Sequence, residues 1–354
     1  MEQHAGPASS DPKWCWHPVD ANRPSVNDDL AKVFRNESVK APGVFGRDKP
    51  ADAAALLARE AIQNAWDAAL EAREPLPPEA RLPFEIRFRF VTATEDRRDR
   101  LVGALGLGEL AERVAAAGDR PTLGLDDEDC LSALAEGGDL RLVEISETAG
   151  GGMYGPWEGK KSKLWLALCS SGYTNKPIGG GGSYGYGKAG LIRASAIRQV
   201  VAYTCHEARA DDRGVTRRLL GMTYWGDHSV DGRDFTGLAH FGRSDDDGRI
   251  LPWENDDADR VAIELGLARR DPEVPEQRGT TMLVTDPTVA ADDLNRAVDR
   301  YWWPALMETD LQFHVEIEDE SSGGGGGGVH PGGIKKNAPP QKGKIGVCED
   351  WGKK

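Results

Sequence analysis

The 354-residue chain has no apolar run near the roughly 20 residues a membrane-spanning helix requires, and nothing near its start is built like a secretory leader. A soluble, cytoplasmic protein without membrane contacts is therefore expected. Cysteine is scarce: Cys15, Cys130, Cys169, Cys205 and Cys348 are widely scattered, without the close pairs of a zinc site or the density of a disulfide framework. They are expected as reduced thiols, with Cys169 and Cys205 as small core residues rather than nucleophiles. His206, His228, His240 and His314 show no metal-ligand spacing, and no Ser-His-Asp arrangement can be assembled. Positive charge is also in deficit. With 44 Lys and Arg against 58 Asp and Glu, the net charge of −14 argues against a general nucleic-acid binder, which needs clustered cations to neutralise phosphates. A local basic patch stays compatible with that total.

What is present suffices for a core: 39% hydrophobic composition over this length predicts one large or two ordinary domains. Residues 1–27, with Pro7, Pro12, Pro18 and Pro24, read as a flexible N-terminal arm whose Trp14 and Trp16 remain available for docking. A long helix is expected over about 50–73, with Pro50 and Asp52 in its first turn and Pro75, Pro77 and Pro78 beyond its end. Residues 84–90 alternate apolar and charged side chains with period two, the pattern of a strand with one buried face. Residues 98–138, rich in Ala, Leu and Glu with Gly interruptions, read as two helical pieces forming an insertion. Further strands are expected at 140–146, 198–206, 217–225, 235–241, after Gly279, and at 313–317. Helices are expected at 164–169, 189–197, 256–269 and 288–307, the last carrying Trp302 and Trp303 as core packing. Six glycines at 323–328 open a segment with six Lys against two acidic residues, a net charge of +4. Residues 321–354 are accordingly read as a Gly-rich linker and unfolded tail, compatible with an artefactual origin.

Two features carry chemistry. On the 50–73 helix, spacings of four and three at about 100° per residue bring Glu60, Asn64 and Asp67 within roughly 60° of one another. Such a polar stripe must meet water, a partner side chain, or a polar ligand with a metal, because burying unpaired charge is costly. The second feature is the glycine-rich run through Gly182, Ser183, Tyr184, Gly185, Gly187 and Lys188 that opens a helix. It matches most of a P-loop, but Ala189 stands where that motif has a hydroxyl, and the preceding residues 173–178 make a poor buried strand. A flexible linker is the plain alternative; amides at a helix N-terminus beside a lysine also suit phosphate.

In order, these elements resemble the GHKL ATPase superfamily, which includes type II topoisomerase subunits, mismatch-repair MutL proteins, the 90-kDa heat-shock chaperones and sensor histidine kinases. Glu60-x3-Asn64-x2-Asp67-Ala68 is similar to its N box, Glu147-Thr148-Ala149-Gly150-Gly151-Gly152 to its first glycine box, 180–188 to its second, and Gly279-Thr280 to its late Gly-Thr element. The resemblance covers residues 28–320. It implies a Bergerat-type ATP-binding fold: an α/β (α+β) two-layer sandwich with a mixed, largely antiparallel sheet covered on one face by helices.

The same resemblance implies roles. Glu60 would polarise the attacking water and Asn64 would coordinate magnesium, while Lys188 would neutralise charge on the transferred phosphoryl group. Gly152, Gly182, Ser183, Tyr184, Gly185 and Gly187 would line the ATP site, with Thr280 near the adenine. Glu147 stands where the family has an adenine-binding aspartate, one methylene longer; capping its own loop is the alternative. Asp67 is assigned to fixing the helix, with direct ligation as the alternative. The implied activity is Mg-ATP binding and slow hydrolysis, with lid closure coupled to a protein partner or a homodimer. A non-hydrolysing, nucleotide-dependent binding module is the alternative. The chain looks nearest to bacterial chaperone-like ATP-binding proteins, and a role in a multi-protein defence system follows by analogy alone.

Overall fold

A computed structural model describes residues 13–19, 53–125, 128–158, 161–169, 189–307, 312–320 and the backbone of 334–336. Its strands are β1 (Trp14–Pro18), β2 (Phe84–Ala93), β3 (Leu140–Glu147), β4 (Gln199–Cys205), β5 (Arg217–Tyr224), β6 (His228–Val230), β7 (Arg233–Phe241), β8 (Arg243–Ser244), β9 (Ile250–Leu251), β10 (Trp253–Glu254), β11 (Gly279–Thr285), β12 (Phe313–Asp319) and β13 (Ile334–Lys336). Its helices are α1 (Ala53–Arg73), α2 (Glu95–Ala104), α3 (Leu107–Ala117), α4 (Arg120–Leu123), α5 (Lys163–Leu168), α6 (Ala189–Arg193), α7 (Asn255–Glu264) and α8 (Ala291–Met307). None of the described helices is long and apolar enough to cross a membrane.

Eleven strands share one sheet, in the order β1-β7-β5-β4-β11-β3-β2-β12-β13, with β10 beside β5 and β6 beside β7. Among the described residues β2 and β12 run parallel and the other pairs are antiparallel. The expected mixed, largely antiparallel sheet with helices is thus present. Phe84, Ile86, Phe88 and Phe90 of β2 face a core that includes Leu57 and Ile62 of α1 and Leu294 and Val298 of α8. Nine alanines let α1 lie close to its neighbours, and the helix stops at Arg73, two residues before Pro75, whose ring cannot continue it.

The layering goes beyond the expectation of one covered face. Val200 and Ala202 of β4 point into the first core, whereas Val201 and Tyr203 enter a second core with Leu101, Leu110 and Val114 of α2 and α3, Leu105 between those helices, and Val261 of α7. Helices within the 98–138 stretch thus pack as a layer on the second face. Every residue of β4 and β5 is buried, as central strands covered on both faces must be.

Three further expectations are corrected. The arm is not free at residues 14–18: β1 pairs with β7, Trp14 is 2% exposed, and its indole donates to the Leu105 carbonyl at 2.8 Å. An aromatic side chain this large favours burial enough to anchor a short edge strand. The tail contributes β13, which pairs with β12, while its other residues lie outside the described ones. Trp302 packs as expected, stacked on Phe313 at 5.5 Å, but Trp303 is 60% exposed because it falls on the outer face of α8.

The β1–β7 seam is expected to weaken at low pH. His240 Nδ1 lies 3.0 Å from His17 Nε2, and burial, reinforced by His17, pushes the His240 imidazole down to about 4 from 6.5. A base with a lowered folded pKa contributes stability that is complete above pH 6.5 and lost as pH falls toward about 4. At 1.36 kcal/mol per unit the loss is about 3 kcal/mol. Urea titrations at pH 7 and pH 4 should show that decline in the wild type and a flatter profile in His240→Gln.

Candidate functional site

Three interior strands of the sheet bring their ends together. Register pairs Gly279 with Cys205 and Thr280 with Thr204, while Thr281 pairs with Ser146, so the end of β3, the end of β4 and the start of β11 are neighbours. Glu147 closes β3 and is buried. Its Oε1 accepts the Thr280 N–H at 2.7 Å and its Oε2 accepts the Gly150 N–H at 3.0 Å. Burial pushes the Glu147 carboxyl up, outweighing the nearby Arg270 guanidinium and the two backbone donors. Glu147 therefore does cap its own loop, tying it to β11.

The loop beyond is built for contact with backbone. A Cβ on Gly150 would lie 2.5 Å from Glu147 Oε2, and one on Gly152 would lie 2.1 Å from the Cys205 carbonyl oxygen. The Met153 N–H donates to Thr204 Oγ1 at 2.7 Å, and that hydroxyl lies 3.0 Å from Thr280 Oγ1. Gly151 and Gly152 take positive φ angles of 68° and 74°, which glycine adopts without strain. Behind the loop, Arg270 donates through Nη2 to the Glu147 carbonyl at 3.1 Å and to Thr281 Oγ1 at 3.0 Å.

Helix α1 runs along this loop. The Cβ that Gly151 lacks would sit 3.6 Å from Ala72 Cβ, and that of Gly190, in α6, would sit 3.1 Å from both Glu60 Cβ and the Leu56 carbonyl. Gly151 of the first glycine-rich segment and Gly190 of α6 thus both lie against α1. Glu60 is half-buried and Asn64 exposed. Asp67 accepts from Gln63 Nε2 at 2.6 Å, a helix-fixing contact of the kind assigned to it.

The stripe continues to Glu71, a residue missed by stopping at Asp67 although it sits at the same four-residue step. Glu71 Oε1 accepts from Lys163 Nζ at 2.8 Å and from the Tyr154 hydroxyl at 3.0 Å. Partial burial raises the Glu71 carboxyl, but those two donors and the Arg209 charge outweigh it and leave it below its usual range. The Tyr154 ring carries Lys163 Nζ at 4.2 Å and the Arg209 guanidinium at 4.1 Å. Lys163 is therefore a bridge from α5 to α1 rather than a solvated side chain.

Thr204 and Arg270 were also missed, since neither sits in a local pattern: strand register brings Thr204 to Thr280, and the irregular segment after α7 brings Arg270 there. Gly182, Ser183, Tyr184, Gly185, Gly187 and Lys188 lie outside the described residues. Cys205 is buried, and burial pushes its thiol up to about 11, which fits a core residue and not a nucleophile. Among the described residues no group of three His, Cys, Asp or Glu side chains is arranged to hold a metal. Compared with models of known protein families and with curated proteins, the chain finds no match in either.

Proposed function

We propose that the face of α1 bearing Glu60 and Asn64, together with the 147–155 loop and the start of β11, binds Mg-ATP in a Bergerat-type site, and that the chain hydrolyses ATP slowly. The observation that carries this reading is the approach of Gly151 and Gly190 to the same helix. Gly151 and Gly190, far apart in sequence, both lie against the helix that carries the polar stripe, and backbone free of side chains suits close contact with phosphates.

The donor set fits the group. Magnesium takes oxygen ligands and retains waters, so the exposed Asn64 amide oxygen, with phosphate oxygens, is an adequate holder. Bound there, the ion would neutralise charge on the phosphates. Glu60 stands one helical turn earlier, close enough along the helix to orient a water without ligating the metal. Glu147 retains unused lone pairs on both carboxylate oxygens and can accept from an adenine amino group while it caps the loop. Lys188 and the residues around Gly185 would complete the phosphate side. Coupling to a protein partner or a second copy and a role in defence belong to this proposal through resemblance alone, and a cytoplasmic location through the sequence reading.

Ligand-induced stabilisation tests it. Mg-ATP at 100 times its Kd should add about 2.7 kcal/mol to unfolding, visible as a rise of several degrees in Tm. Asn64→Ala should bind nucleotide with its magnesium dependence lost. No rise in the wild type at millimolar Mg-ATP ends the nucleotide reading.

A further inference from the structure

One buried ion pair grips the backbone of Gly155 from both sides. The Gly155 N–H donates to Asp212 Oδ2 at 3.1 Å, and its carbonyl accepts from Arg218 Nη1 at 2.9 Å. Arg218 Nη2 meets Asp212 Oδ1 at 2.9 Å, with the two side chains 2% and 0% exposed, and Arg218 Nε reaches Glu254 at 3.3 Å. All three guanidinium nitrogens are used, and Gly155 takes a φ of 104° that favours glycine.

Stability alone is a poor reason for this pair, because apolar replacements of buried ion pairs are often neutral or stabilising. What the pair adds is a fixed shape for a loop. Residues 150–155 are held at Gly150 by Glu147, at Met153 by Thr204 and at Gly155 by the ion pair. Between these tethers, the amides of Gly151 and Gly152 donate to no other described residue. The tethers thus bracket two adjacent N–H groups, Gly151 half-buried and Gly152 buried, that have no partner among the described residues.

We propose that Asp212 and Arg218 are positioning residues: they hold the 150–155 loop in its ligand-ready shape and so set the affinity of the site without touching the ligand. The affinity arm of the test rests on the Mg-ATP reading; the loop arm does not. Arg218→Lys keeps a charge beside Asp212 but removes the fork that also reaches Gly155. Arg217→Lys is the control, since Arg217, next on the same strand, pairs with Asp259 at 2.9 Å on the opposite face. Both variants should lose a similar amount of Tm. Only Arg218→Lys should speed amide exchange at Gly150, Met153 and Gly155 at least tenfold relative to α1, and raise the Kd for Mg-ATP about tenfold. Unchanged exchange in Arg218→Lys, or equal acceleration in Arg217→Lys, overturns the proposal. A wild type that binds no Mg-ATP removes the nucleotide reading, and the exchange comparison still decides the clamp.

Discussion

Replacing Glu60 by alanine should lower phosphate release from Mg-ATP by about 10²–10⁴-fold, the range a positioned proton acceptor contributes, while nucleotide binding changes little. The stem of Glu60 is packed: Gly190 approaches so closely that a Cβ there would lie 3.1 Å from Glu60 Cβ and 3.3 Å from Cγ. A side chain held at its base has fewer rotamers to lose when its carboxylate orients a water, which favours preorganised chemistry over a merely solvated role. Glu60→Gln separates the two contributions, since it retains the packing and removes the proton acceptor. Both variants should therefore lose turnover to a similar extent and keep the magnesium-dependent rise in Tm. Release rates equal to wild type in both would end the catalytic assignment and leave the non-hydrolysing binding module.

The sequence shows this site unevenly, for physical reasons. The stripe on α1 was legible because helical period alone places Glu60, Asn64 and Asp67, and alternation alone marks 84–90 as a strand buried on one face. Glycine density marked the loop at 150–152, where backbone passes within 2.1 Å of a virtual Cβ. Contacts that depend on strand register were not legible. Thr204 meets Thr280 only because β11 inserts between β3 and β4, a non-local arrangement that leaves no local signature. The same holds for Asp212 and Arg218, which reach Gly155 from more than fifty residues away. The second helical layer was misjudged because an amphipathic stretch such as 107–117 has the same pattern whether it covers a principal sheet or decorates one. Proline content marks residues 1–27 as an arm, but the pairing of 14–18 with β7 depends on strand register, for which only the anchor residues Trp14 and Trp16 give a local sign.

Gly152→Ala should be among the most destabilising single-methyl additions available in this chain. Two costs coincide at that position. The φ of 74° imposes roughly 1–2 kcal/mol on a residue with a Cβ. The added carbon would also lie 2.1 Å from the Cys205 carbonyl oxygen and 2.7 Å from its carbon, distances that real Cβ atoms do not occupy. Neither partner can yield cheaply. Cys205 is paired with Arg217 on one side and Gly279 on the other, so moving its carbonyl disturbs β4, β5 and β11 together. The loop itself is tethered at Gly150 and Met153, one residue or two from the substitution. Gly151→Ala provides the matched comparison: its φ of 68° carries the same backbone cost, but its nearest neighbour, Ala72 Cβ, would be 3.6 Å away, an ordinary contact. Denaturant unfolding should therefore show a loss of about 1–2 kcal/mol for Gly151→Ala and more than about 4 kcal/mol for Gly152→Ala, in the range reserved for severe core and backbone lesions. Equal losses in the two variants would mean that the loop does not press against the end of β4, and the tethered geometry on which the proposed nucleotide site depends would have to be abandoned.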